Sequence, residues 1–107
     1  MNIKLKVDDL SAGRLEAALG QRPGEFKLFF DTEGCGCNGV IAVLIINGPE
    51  PTDLKVQAEP YSFYVDRQQA SLFDEDMRLE AFPDYPAFKL VSNSGVLGSN
   101  IRFKDIR

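Results

Sequence analysis

Two thiols, Cys35 and Cys37, stand one residue apart in the run Gly34-Cys35-Gly36-Cys37-Asn38-Gly39, and the chain has no other cysteine. Thiolate is a ligand for zinc, for iron and for iron-sulfur clusters. In a flat strand, side chains two positions apart point the same way but lie too far apart to grip one metal, so the chain must turn between them. Gly36 permits that turn. The backbone N–H groups of so glycine-rich a loop can also approach the sulfurs, which favours the thiolate form. The plain alternative is that the glycines build a surface turn in which the cysteines are incidental.

Two thiolates leave a four-coordinate site half filled, and there is no histidine to supply the rest. The missing ligands have three sources: a second chain, giving two plus two thiolates across a symmetric homodimer; oxygens of Asp31 or Glu33; or an exogenous thiol. The dimer is the favoured completion for a cluster. Without histidine neither a Ser-His-Asp nor a Cys-His arrangement exists, and no phosphate-binding glycine loop of the expected pattern appears. A Cys-Gly-Cys pair could cycle between dithiol and strained disulfide, but the Cys-x-x-Cys at a helix start expected of thiol oxidoreductases is missing. The expectation is a binding protein and not an enzyme, with zinc as the alternative metal.

The rest of the chain has to hold that loop. At 107 residues it is the size of one domain, which buries about 65% of the surface its unfolded form exposes. Eight Phe and three Tyr in a 44% apolar composition supply a core without disulfide staples. Twelve basic against sixteen acidic residues give a net charge of −4, which repels phosphate backbones and argues against nucleic acid. Arg102, Lys104 and Arg107 read as the solvated face of a last strand. The N-terminal residues lack a signal-peptide core and no stretch approaches the roughly 20 apolar residues of a membrane span. Cytoplasmic residence, where thiols stay reduced or bind metal, is therefore expected. The acidic run Asp74-Glu75-Asp76 reads as a solvated turn, and Tyr61, Phe63, Tyr64 and Phe73 as packing.

Alternation of Ile3, Leu5 and Val7 with polar neighbours predicts a strand. A helix follows, capped by Asp8, Asp9 or Ser11, with Leu15, Ala18 and Leu19 as its apolar stripe and Gly20 and Pro23-Gly24 ending it. Phe26 to Phe30 and Val40 to Ile46 predict an antiparallel pair joined by residues 31 to 39, which puts the thiols on a strand-to-strand loop. Asn47 to Asp53, with two prolines, is a turn. Further strands are expected at Leu54 to Ala58, Tyr61 to Val65, Met77 to Phe82, Phe88 to Val91 and Asn100 to Arg107. A short helix capped by Asp66 is expected over Arg67 to Phe73, and a loop over Ser92 to Gly98. Ile106 breaks the phase of the last strand and predicts a bulge or strand end. These elements favour a mainly β domain, a folded-over sheet or sandwich, over a parallel α/β fold.

In this order the features resemble the A-type iron-sulfur cluster carriers, the HesB-like iron-sulfur biosynthesis proteins, over the whole chain, 1–107. Gly36-Cys37-Asn38-Gly39 looks like that family's first motif, Gly-Cys-Ser/Ala-Gly. Phe88-Lys89-Leu90-Val91-Ser92-Asn93-Ser94 is similar to its Phe-x-Phe/Leu-x-Asn-Pro-Asn segment. The family's later Cys-Gly-Cys-Gly is absent, with Leu97, Gly98 and Ser99 in that region. The resemblance implies mixed or antiparallel sheets in a pseudo-barrel or sandwich with an N-terminal and a short helix. It also implies an iron-sulfur cluster or iron as cargo, and assembly proteins or apo-protein recipients as partners. Cys37 carries over as a ligand, and Cys35 is an addition. A carrier fold that has lost its cluster and serves as a protein-interaction module is the rival.

Overall fold

Strand β1, Lys4–Val7, buries Leu5 and leaves Lys4 and Lys6 in solvent, as its period-two pattern demands. It is hydrogen-bonded on both sides. In the computed structural model, which describes residues 3–31 and 40–107, β1 runs parallel to β4 (Asp53–Glu59), with Lys4 opposite Gln57, and parallel to β6 (Asp76–Ala81), with Lys4 opposite Asp76. That double pairing closes a barrel. Among the described residues eight strands follow one another around it in the order β1-β4-β5-β2-β3-β8-β7-β6. The others are β2 (Glu25–Asp31), β3 (Val40–Ile46), β5 (Phe63–Asp66), β7 (Phe88–Ser92) and β8 (Gly95–Asp105). The expected antiparallel pairing of β2 with β3 is present over their full length, from Glu25 opposite Ile46 to Asp31 opposite Val40.

The interior is aromatic. Phe26, Phe63 and Phe88 are fully buried; Phe26 stacks on Phe63 at 5.4 Å between ring centres, and Phe103 meets Phe88 edge-on at 5.1 Å. Both geometries suit ring quadrupoles. Helix α1, Asp9–Leu19, packs Leu15 into this core. Of the three caps the sequence offers, Asp8 serves: its carboxylate accepts from Ser11 N–H at 2.8 Å. Ser11 itself is buried and donates to the Leu79 carbonyl at 3.2 Å.

Two arginines fasten the helix. Arg14 donates to the Tyr85 and Ala87 carbonyls at 2.9 and 3.2 Å and to that of Phe82. Arg107 is a correction to the solvated strand face expected of it. Its side chain is only 3% exposed, because the guanidinium turns under α1 and donates to the carbonyls of Leu19 and Arg22 at 3.1 and 3.0 Å. A cation there complements the negative end of the helix. Asp105 holds it in place through an ion pair at 2.9 Å.

Other expectations shift. The helix over Arg67 to Phe73 shrinks to a 3-10 turn at Ala70–Leu72, because the Asp66 carboxylate accepts from Gln68 N–H at 2.8 Å and closes a local turn instead of capping a helix. The loop over Ser92 to Gly98 is mostly strand. Ser92 lies opposite Gly95, so only Asn93 and Ser94 turn the chain, and Gly95 takes the φ of 125° that a side chain disfavours. Asp74, from the acidic run, accepts from the hydroxyls of Ser92 and Ser94 and braces this hairpin. Those bonds, Ser92's first, hold its carboxyl below the usual range. Ile106 marks a strand end, β8 stopping at Asp105.

Strand β3 is apolar on both faces. Val43 and Ile45 face the core, while Leu44 and Ile46 form an outer cluster with Tyr64. The segment leaving β3 lies beside this outer cluster, where Asn47, Gly48 and Glu50 border one small cavity with Leu44 and Ile46. It is pinned by a buried ion pair, Lys27 Nζ to Asp53 Oδ1 at 2.7 Å, while Asp53 Oδ2 accepts from Glu50 N–H at 2.9 Å.

Removing one partner of such a pair strands a buried charge. Lys27→Met should lower the unfolding free energy by about 3 kcal/mol, measured by urea denaturation, and Lys27→Met with Asp53→Asn by clearly less. Equal losses would show that the carboxylate is not the stranded group. The hydrogen bond from the Arg107 side chain, with one from its backbone, lowers the Asp105 carboxyl from 3.8 to about 2. A depressed carboxyl stabilises above its ordinary value and stops doing so as pH falls through about 2. In a carboxyl NMR titration Asp105 should show that low midpoint, returning toward the ordinary range in Arg107→Gln.

Candidate metal centre

Strand β2 ends at Asp31 and β3 begins at Val40, paired across the ladder, so the connection between them leaves and re-enters one end of the barrel. The residues that could bind metal through sulfur, Cys35 and Cys37, with Glu33, Gly34, Gly36, Asn38 and Gly39, lie outside the described residues. Asp31, the other oxygen ligand considered, is the last residue of β2 and partly buried.

The foot of this connection is held from two sides. On one side β2 has outrun β5, which stops at Asp66. Gln69 takes the place of the missing strand: its amide donates to the Phe30 carbonyl and its carbonyl accepts from Phe30 N–H, each at 2.9 Å. The Phe30 ring rests on Phe73 at 5.3 Å. One side chain thus satisfies both backbone groups that the sheet would otherwise leave open. Sequence reasoning missed Gln69, since no pattern marks a glutamine that stands in for a strand.

On the other side runs β8, parallel to β3 with Ala42 opposite Arg102, which brings Ser99 and Asn100 level with the start of β3. Its pairing with β7 slips twice. From Phe88 opposite Ile101 to Leu90 opposite Gly98, and from there to Val91 opposite Val96, β8 carries one extra residue each time. These are bulges, which bend a strand and re-aim its side chains. Beside them Phe30, Val40, Ile41, Gly98, Ser99 and Asn100 line a shallow cavity of about 240 Å³. Gly98 leaves little room there: a Cβ would come within 3.2 Å of the Ile41 side chain. Ser99 and Asn100 are exposed, as is Val40.

The segment at which the sequence departs from the carrier pattern, Leu97 to Ser99, therefore borders the foot of the thiol-bearing connection, although some sixty residues separate them in sequence. The polar groups there, the Ser99 hydroxyl and the carboxamide of the adjoining Asn100, are weak ligands for iron beside thiolate. Among the described residues no three His, Cys, Asp or Glu side chains come together as a metal site, and no helix is long and apolar enough to cross a membrane.

A family model described as iron-sulphur cluster biosynthesis matches residues 3–105. No curated protein matches the chain. Among solved structures, a proposed Fe-S biosynthesis protein from Lactobacillus salivarius is similar at a TM-score of 0.83 and 18% identity, over 98% of this chain and 99% of that one. Another, from Lactobacillus acidophilus, is similar at 0.79 and 14% identity, over 96% of this chain and 90% of that one. At such identities the structural likeness speaks for the fold.

The Gln69 clamp makes a local prediction. Gln69→Ala leaves two Phe30 backbone groups without their partner and should cost about 2 kcal/mol. Amide hydrogen exchange at Phe30 should quicken more than at Leu28. Unchanged protection at Phe30 would show that the clamp is not what holds the end of β2.

Proposed function

The chain belongs to the iron-sulphur cluster biosynthesis family, and from that membership we propose that it binds an iron-sulfur cluster or iron as cargo through Cys35 and Cys37. It delivers this cargo within cluster assembly, in the cytoplasm, to assembly proteins or apo-protein recipients, as a carrier and not an enzyme. One observation carries the reading. The connection that bears both thiols springs from the barrel end where the bulged residues 97–100 of β8 lie, the region in which the family resemblance puts its further ligands.

Leu97, Gly98 and Ser99 offer no thiol there, so one chain contributes two strong ligands. The remaining positions fall to a second copy, in a homodimer, or to an exogenous thiol. Cargo held by so few ligands from one chain exchanges readily, which suits delivery better than storage. The same absence favours a second reading, a carrier fold that has given up its cluster and acts as a protein-interaction module.

Anaerobic reconstitution with ferrous iron and sulfide separates the two. The carrier reading expects a visible chromophore with matching iron and labile sulfide, abolished in the Cys35→Ser, Cys37→Ser double variant, together with a doubled mass on loading if a second copy completes the site. A colourless protein, or a chromophore indifferent to the double variant, leaves the interaction module standing. Metal analysis of protein prepared without added iron tests zinc.

A further inference from the structure

Closing the barrel through β1 makes a groove on its outer wall. β1 forms the floor, with β4 and β6 on either side, and the groove has a volume of about 910 Å³. Lys4 and Lys6 rise from the floor, Lys55 from β4 and Arg78 from β6, all exposed, in a chain whose net charge is −4. Two acidic residues, Glu59 and Asp76, share the lining.

The cations are not neutralised in place. Of the four, only Arg78 forms an ion pair among the described residues, with Glu80 at 3.6 Å; Lys4, Lys6 and Lys55 form none. Across the parallel ladders Lys6 stands between Arg78 and Glu59, and Lys4 stands opposite Asp76, so the lining sets four basic side chains against two acidic ones. An anionic partner would meet that excess of two positive charges.

From this groove we infer a docking surface for an acidic, extended segment of a partner protein. Lys4 and Lys6 lie two residues apart on one face of a strand, about 7 Å along it. Carboxylates at alternate positions of an extended segment repeat at that same distance. Compact ammonium groups suit single carboxylates, where planar guanidinium groups would favour bidentate phosphate contacts. Glu59 and Asp76 would repel a continuous phosphate backbone and suit a segment whose carboxylates alternate with neutral residues. The surface is independent of the thiols.

The test uses the full chain and a fluorescently labelled peptide of alternating glutamate and threonine, followed by anisotropy. Binding is expected at about 50 mM salt, falling at least about tenfold near 500 mM. It should weaken by at least about tenfold in the Lys4→Glu, Lys6→Glu, Lys55→Glu variant. The Lys4→Gln, Lys6→Gln, Lys55→Gln variant, which adds no charge opposite Glu59, should show a smaller loss in the same direction and serves if the first variant fails to fold. No binding to the peptide overturns the inference. So does binding that survives both variants, or a single-stranded oligonucleotide that binds more tightly than the peptide.

Discussion

Everything in this fold rests on a four-residue strand being paired on both sides. Without β1, strands β4 and β6 would be open edges, each a row of unpaired backbone groups inviting another chain. With it, the sheet closes and all edges vanish. Closure also bears on where ligands can reach. Among the described residues the inward side chains pack the barrel with aromatic rings, which turns attention to the barrel ends and the outer wall.

The pieces that stabilise this arrangement do so at the places where regular pairing fails. Gln69 replaces a strand that ends too soon, Asp74 braces a two-residue turn, Arg107 takes up carbonyls at the end of α1, and Lys27 with Asp53 pins the segment that follows β3. Each satisfies polar groups that a barrel of so few residues cannot pair internally. They are single side chains, each acting at one point, and so none has a period to betray it.

That difference explains what could be read from the sequence. The strands with one buried face were legible because alternation records which side meets the core, and the hairpin bearing the thiols was legible because its two strands are adjacent in the chain. The strand over 95–98 is hidden because Gly95 and Gly98 are turn-forming residues, yet one closes a tight hairpin and the other sits at a bulge. The 3-10 turn is hidden because Asp66 can cap either a helix or a local turn, and nothing nearby in the sequence decides. The parallel pairing of β1 with both β4 and β6 joins residues more than fifty positions apart, and local pattern carries no trace of it. Cys35 and Cys37 are candidates by residue type and spacing alone, whereas the nearness of residues 97–100 to the start of β3 follows only from the register of β3 with β8.

The same closure fixes how the two proposed surfaces relate. Around the ring, β1 and β3 are four steps apart in either direction, so the basic groove and the strand leading from the thiols occupy opposite walls. A partner seated along β1 would sit across the ring from β3, and cargo held by the proposed thiol ligands would stay open to a second molecule. Under the proposed carrier reading this would matter, because the group that completes the coordination and the group that removes the cargo would both arrive from outside. A barrel with its docking wall away from its ligand end would allow one protein to be held while another approaches.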